Sequence, residues 1–354
     1  ADKIKILILS ALLSISQQFQ IRGLPVLLEP LSVGLIHQSY VLSTAANGVN
    51  YQYLLQQLNH YVFSQPEQIM ENIAVVAQHL KQTDYPLRVL EAIPTTQGSY
   101  LLNHQGQYFR LFPFFKHSLS ANVIADENMA YEAARAFGWF DAFLSDLPTG
   151  RLHTTIPDFH NTPLRLQQLK HAIQQGVSKR VIRSAKVVDE LLSYQSLLRH
   201  YSAMEQQLRP VHYDTKINNL LLDASTRKPI AVIDLDTMMP GLLAYDYGDM
   251  VRTMAARHDE NHPDFNVVSI RPEVLRAINE GFLEAMGDRI QAAEKKALPY
   301  GAALIIFEQS LRFLSDYLLG DRYYRIAYAD QNFVRAQNQL ALLKDYLRQT
   351  NLKL

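Results

Sequence analysis

The chain has 354 residues with 34 basic and 34 acidic side chains, and a formal net charge of zero removes the electrostatic case for nucleic acid as a main partner. It contains no cysteine, which excludes a disulfide framework, a zinc–thiolate site and a cysteine nucleophile, and fits a reducing cytoplasm. With 48% apolar residues it can bury a large core as one or two domains.

The first apolar run, Ile6 to Ile15 behind Lys3 and Lys5, is too short to span a membrane. It leads into Gln17 and Gln18 without a small-residue cleavage pattern, so the expectation is an amphipathic helix docked on the body, with no membrane partner. From Leu24 to about Phe112 the pattern is strand-like. Val33 to Ser43 and Tyr51 to Leu58 read as strands joined through Asn47-Gly48, a strong hairpin signal. Ser64-Gln65-Pro66-Glu67 reads as a capping box with proline in the first turn, and Ile69, Ile73, Val76 and Leu80 follow at helical spacing. Strands resume at Leu87 to Ile93, Ser99 to Asn103 and Gln107 to Phe112, and the aromatic connector Phe112-Pro113-Phe114-Phe115 closes this part.

Beyond the connector the periodicity predicts helices at Asp126 to Ser145, Asn161 to Gln174, Val187 to Leu208, Arg271 to Met286, Leu298 to Leu319 and Asp330 to Arg348. The expectation is an α+β, protein-kinase-like, two-lobed fold. Its small antiparallel-sheet lobe takes residues 1–112, its hinge 113–116, and its larger helical lobe 117–354.

One stretch among these helices carries chemistry. Val211-His212-Tyr213-Asp214-Thr215-Lys216-Ile217-Asn218-Asn219 precedes two short apolar segments, Leu220 to Leu222 and Ile230 to Ile233, and the second ends in Asp234-Leu235-Asp236. The turn formers between Asp223 and Pro229 predict a hairpin that brings Asn219 and Asp234 to one mouth. An Asp, an Asn five positions on and a second Asp after an apolar run suit phosphoryl transfer from a Mg-nucleotide. Asp214 takes the acceptor proton while Asn219 and Asp234 hold Mg²⁺ on the phosphates of ATP. Asp236 reads equally as a second carboxylate of the metal site or as a structural residue. Lys216 reads as a cation for the transferred phosphoryl group or as a partner of Asp214, and His212 as a brace of the loop.

These residues resemble the aminoglycoside phosphotransferase and choline kinase superfamily, and within it most closely the bacterial N-acetylhexosamine 1-kinases. The matching stretches are Gly34 to Tyr40, Tyr53 to Asn59, Met70 to Ile73, Tyr131 to Gly138, Ile156 to Asn161, His212 to Asn219, Leu235 to Gly241, Tyr245 to Asp249 and Arg312 to Tyr317. The resemblance implies a small-molecule kinase that uses ATP and Mg²⁺ to phosphorylate the anomeric hydroxyl of an N-acetylhexosamine. Kinases of another sugar, an aminoglycoside or choline, and a nucleotide-binding pseudokinase, are the alternatives. It places Asp246 and Asp249 as braces of the catalytic loop, and Arg312, Asp316 and Tyr323 at the sugar. Without it, Glu308, Arg312 and Asp316 read as an ion-pair ladder on one helix.

The chain departs from the broad kinase pattern at the nucleotide. Ser32 to Ser39, expected to cover the phosphates, has the single glycine Gly34. Gln56 or Gln57 stands where most kinases carry a phosphate-pairing lysine, so Glu71 loses its usual partner. His37, Ser39 and Lys216 are the candidates for holding the phosphates. The switch from strand to helix pattern puts the adenine against Leu111 to Phe115, with Phe112 and Phe114 beside it.

Overall fold

The structure, a computed structural model, describes residues 11–31, 37–60, 63–202 and 207–354. The chain divides into two compact units. Ala1–Leu119, Leu147–Ile156 and Leu221–Met239 form the first; Ser120–Asp146, Pro157–Leu220 and Pro240–Leu354 form the second.

The first unit is built on a five-stranded antiparallel sheet. Its strands are β1 (Leu24–Leu31), β2 (Gln38–Ala46), β3 (Val49–Gln57), β4 (Leu102–His104) and β5 (Gln107–Pro113), in the order β1-β2-β3-β5-β4. Asn47 and Gly48 both take positive φ (49° and 78°), the geometry that a two-residue hairpin needs, and Ala46 pairs with Val49 around them. Strand periodicity sorts the side chains. Leu42, Leu55 and Leu111 point to one face and are fully buried against Leu12, Ile15 and Phe19. Residues 11–16 are helical, as expected, while residues 6–10 of that predicted helix lie outside the described residues.

The opposite face of the sheet is polar at its centre, because Ser39 pairs with Gln56 and Gln56 with Arg110 across three strands. Helix α1 (Pro66–Leu80) buries Ile69, Met70, Ile73, Val76 and Leu80. The expected capping box does not form: Gln65, one residue beyond Ser64, is the N-cap and makes no side-chain cap bond. The expected strand at Leu87 to Ile93 is also absent. Its amides pair with separate partners, Arg88 with the Ile230 carbonyl (2.8 Å) and Ile93 with that of Leu111 (2.7 Å), and prolines flank it at positions 86 and 94.

Five short strands follow: β6 (Ser118–Ser120), β7 (Leu208–Val211), β8 (Leu220–Asp223), β9 (Pro229–Val232) and β10 (Met239–Leu242). Strand β8 lies between β6 and β9, and β7 pairs with β10. The predicted hairpin is therefore present. Its turn is held by the Asp223 carboxylate, which accepts the amides of Ser225 (2.9 Å) and Thr226 (2.7 Å).

The second unit is helical. Its helices are α2 (Glu127–Phe143), α3 (Thr162–Gln175), α4 (Ser178–Ser193), α5 (Ser196–Ser202), α6 (Leu243–Met250), α7 (Pro272–Met286), α8 (Ala292–Leu318) and α9 (Gln331–Thr350). Asp126 and Asn161 cap α2 and α3 by accepting the amides of Met129 (2.8 Å) and Leu164 (3.0 Å). The single helix expected at Val187 to Leu208 is replaced by α4, α5 and strand β7, with turns at Tyr194 and Gln195 breaking the run. Helix α8 starts six residues before the expected Leu298, because Gln291 and Glu294 close a capping box and the helix carries Pro299 inside it. This helix is the spine of the unit: α3, α6 and α9 pack on it, while α2 packs on α7. A Cβ on Gly301 would stand 2.5 Å from the Ala244 carbonyl oxygen, and one on Gly248 2.7 Å from that of Gly301. Helix α6 therefore rides directly on the α8 backbone. Among the described residues no helix is long and apolar enough to cross a membrane.

Candidate active site

In the second unit the loop 212–219 is hung from α6. The Asp246 carboxylate, fully buried, accepts the amides of His212 (2.6 Å) and Tyr213 (2.7 Å), and its carbonyl accepts the Thr215 hydroxyl (2.7 Å). These bonds hold Tyr213 in the left-handed region at φ 67°, and Asp214 follows it. A Cβ on Gly241 would lie 2.4 Å from the Tyr213 hydroxyl, so only glycine there lets this ring reach the Pro240 carbonyl (3.0 Å). His212 is buried, with its ring against Phe137 and Phe140 and its Nδ1 accepting the Asp214 amide (3.3 Å). It braces the loop. Asp141 beside Asp246 is also buried, and burial and then Asp246 push its carboxyl well up. As an ionised group it would lack donors on both oxygens; protonated, it gives Asp246 a hydrogen bond.

Both oxygens of Asp214 are engaged. Lys216 Nζ pairs with Oδ1 at 3.0 Å, and Asn219 Nδ2 donates to Oδ2 at 2.9 Å and to the Asp214 carbonyl at 2.8 Å. Asn219 thus spends its amide nitrogen on the loop and keeps Oδ1, the atom a hard cation takes. Burial opposes charge on Lys216, but Asp214 and Asp249 outweigh it and raise its pKa, so its ammonium is charged throughout the neutral range. Asp249 is itself paired with Arg252 at 3.0 Å.

An aromatic group joins this loop to α8. The Tyr213 ring meets Phe159 edge-on at 5.7 Å and stacks on His160 at 5.4 Å. The Arg312 guanidinium lies over Phe159 at 5.6 Å, over Tyr324 at 5.8 Å and over Tyr323 at 5.9 Å. The ion-pair ladder does not form. Glu308 instead accepts from His160 (2.9 Å) and the Thr162 hydroxyl (2.6 Å). Asp316 is buried and takes the amides of Arg322, Tyr323 and Tyr324 (2.8, 2.8 and 2.9 Å) and the Asn332 side chain (3.0 Å). Asp316 anchors the segment that presents Tyr323, which is exposed.

In the first unit Asp234 is exposed and takes a left-handed conformation (φ 60°, ψ 57°) at the head of a single 3₁₀ turn, Leu235–Thr237. Two residues on, Asp236 is buried inside a clamp. The Arg110 guanidinium grips its carboxylate through both terminal nitrogens, one at 3.0 Å, and His37 Nε2 lies 2.6 Å from the same carboxylate. Arg110 Nε donates to Gln56 Oε1 (2.9 Å), Gln56 Nε2 donates to Ser39 Oγ (3.1 Å), and the Phe112 ring lies under the guanidinium at 5.1 Å. Burial opposes the Asp236 charge, but Arg110 and His37 overcome it and hold its pKa well below the usual carboxylate range.

His37, Ser39 and Gln56, each a candidate for the nucleotide, therefore belong to one buried network with Phe112 and Asp236. Phe114, part-buried, donates its amide to the Gln52 carbonyl (3.1 Å), and Gly34 lies outside the described residues. Glu71 pairs with His153 at 2.6 Å. The residue that sequence reasoning missed is Arg110. A cation between Phe109 and Leu111, on the strand that pairs with Gln56, was its signal. Among the described residues no three His, Cys, Asp or Glu side chains converge as a metal cage. A magnesium ion that keeps waters and phosphates as ligands needs none.

The profile of the APH phosphotransferase enzyme family matches residues 28–288. The chain belongs to that family. It is a phosphotransferase that acts on a hydroxyl acceptor. Solved structures agree on the fold. A microcompartment-associated aminopropanol kinase superposes with a TM-score of 0.67 at 18% identity, over 97% of this chain and 99% of that one. A spectinomycin phosphotransferase in complex with ADP and spectinomycin gives 0.61 at 10% identity, over 94% and 97%. An ethanolamine kinase from Plasmodium vivax gives 0.54 at 13% identity, over 88% and 82%. At such identities the likeness shows the fold alone: an antiparallel-sheet N-terminal part followed by a helical C-terminal region, as in protein kinases.

Proposed function

We propose that this phosphotransferase moves the γ-phosphoryl group of Mg-ATP to the anomeric hydroxyl of an N-acetylhexosamine, giving the 1-phosphate. The observation that carries the acceptor assignment is Arg312. Among the described residues its guanidinium makes no hydrogen bond or ion pair, and the Phe159 ring it covers also touches Tyr213, the neighbour of Asp214. A fork of N–H donors joined to the neighbour of the proposed base through one aromatic ring suits sugar oxygens. The narrow motifs Asp214 to Asn219 and Asp234 to Gly241 point the same way by resemblance.

Asp214 is the general base. It orients the acceptor O–H and takes its proton as the oxygen attacks phosphorus and the bond to the ADP leaving group breaks. Asn219, through Oδ1, and Asp234 would hold Mg²⁺, which neutralises charge on the phosphates when bound. Lys216 holds Asp214 in place and keeps a positive charge beside the reacting groups. Tyr323 and Arg312 meet the sugar, with Asp316 fixing the segment between them. Adenine sits against Leu111 to Phe115.

ADP release measured across N-acetylhexosamines, free hexoses, amino alcohols and aminoglycosides tests the reading, with NMR of the product to locate the phosphate. Activity confined to amines, phosphate on O3 or O6, or nucleotide binding without turnover of any alcohol would each refute it.

A further inference from the structure

We infer that Arg312 is the residue that bars cationic acceptors, because its guanidinium fills an aromatic cage that would otherwise take an ammonium group. The inference rests on the acceptor position proposed above and concerns what that position refuses. Three ring centroids, of Phe159, Tyr323 and Tyr324, lie 5.6 to 5.9 Å from the Arg312 carbon that bears the charge. That is the arrangement by which aromatic faces hold alkylammonium ligands. Here the cation is the protein's own.

The neighbouring acids do not reverse this. Glu308, one helical turn before Arg312, is committed to His160 and Thr162. Asp316, one turn after, is committed to three backbone amides and Asn332. Glu308 stays ionised and already faces the Arg312 charge, and Glu260 near Tyr324 is paired with Arg252 (3.3 Å) and Arg335 (3.4 Å), so each nearby carboxylate is already matched to a cation or a set of donors. Burial pushes the Tyr324 hydroxyl up to about 12, so it supplies no negative charge near neutrality. An ammonium group entering this cage would meet Arg312 at close range and find the nearby carboxylates already engaged, whereas a neutral polyol meets a donor fork.

The test uses choline and its neutral isostere 3,3-dimethylbutanol as binding probes, followed by calorimetry, on the wild-type protein and on Arg312→Ala and Arg312→Gln. Wild type should favour the neutral isostere. Both variants should invert that preference, with choline gaining about tenfold or more relative to it, the scale of a desolvated cation–π contact freed from like-charge repulsion. Adding Tyr323→Ala to Arg312→Ala should remove the gain, and this exposed residue can be changed without disturbing the core. Wild-type protein that prefers choline, or a folded variant of either kind that does not invert the preference, overturns the inference. A wild type that phosphorylates some other neutral alcohol defeats the hexosamine assignment and leaves this inference standing. Turnover of N-acetylhexosamine by wild type without inversion in the variants does the opposite.

Discussion

Replacing Arg110 by Met removes the cation from a carboxylate that is only 2% exposed. Arg110 is itself 3% exposed, and its Nε and both terminal nitrogens are all spent inside the network. Among the described residues the variant leaves Asp236 with His37 as its one remaining side-chain partner, and a buried ion deprived of its partner costs about 3–5 kcal/mol. For a cooperative unit of this size each kcal/mol lowers the melting temperature by about 2–4 °C, so a fall of about 6–20 °C is expected. Because two charges also pay for desolvation, Arg110→Met with Asp236→Leu should recover most of the loss. Function should not recover with it. Asp234 sits two residues away in a left-handed conformation that costs an L-residue about 1 kcal/mol or more, so loosening Asp236 should loosen that turn. Thermal and urea unfolding followed by circular dichroism would give the stabilities, and calorimetry with Mg-ADP the binding. A single variant melting within about 2 °C of wild type would refute the reasoning. So would a double variant that binds nucleotide as wild type does.

Asp214→Asn should lower kcat by about 10²- to 10⁴-fold while leaving Mg-ADP affinity nearly unchanged, as steady-state kinetics and calorimetry would show. Asp234→Ala should abolish the magnesium dependence of nucleotide binding, and a titration of ADP with and without the metal checks this directly. Glu308 gives an acid-side prediction: burial raises its pKa, but His160, Thr162 and Arg312 bring the net value below 4.5. Its stabilisation is therefore present above pH 4.5 and lost as pH falls through the lower folded value, so Glu308→Gln should flatten the stability profile only on that acid limb.

The loop 212–219 and the hairpin after it were legible because their signals are local. Asp214, Lys216 and Asn219 lie within six residues, and Asp223 with the polar run after it marks a turn whatever surrounds it. The Asn47-Gly48 hairpin was legible for the same reason. What escaped was set by distant partners. Leu87 to Ile93 has strand composition, yet its amides are claimed one at a time by Ile230 and Leu111. The start of α8 was masked by Pro299, whose missing amide the long helix tolerates because it is buried against α6 and α9. Arg110 escaped because its meaning depends on register. Only when Gln56 pairs with it, and Ser39 with Gln56, does one charged residue in an apolar strand become the centre of a network.

That register also explains how this kinase fold does without a lysine on β3. A lysine at position 56 would bring its ammonium to the polar face of the sheet, where Arg110 already supplies a cation and Asp236 a single anion. Gln56 instead accepts from Arg110 and donates to Ser39, a bridging role that needs one acceptor and one donor on a neutral group. Gln56→Lys should therefore fail to restore a conventional kinase site. It removes the acceptor of Arg110 Nε and sets two buried cations against one carboxylate, so the ammonium either loses its proton or displaces Arg110. The expected result is a lower melting temperature, by several degrees, with Mg-ATP affinity unchanged or weaker. A Gln56→Lys protein at least as stable as wild type, with a lower KM for ATP, would mean that the phosphates reach this face of the sheet and that Arg110 yields to them.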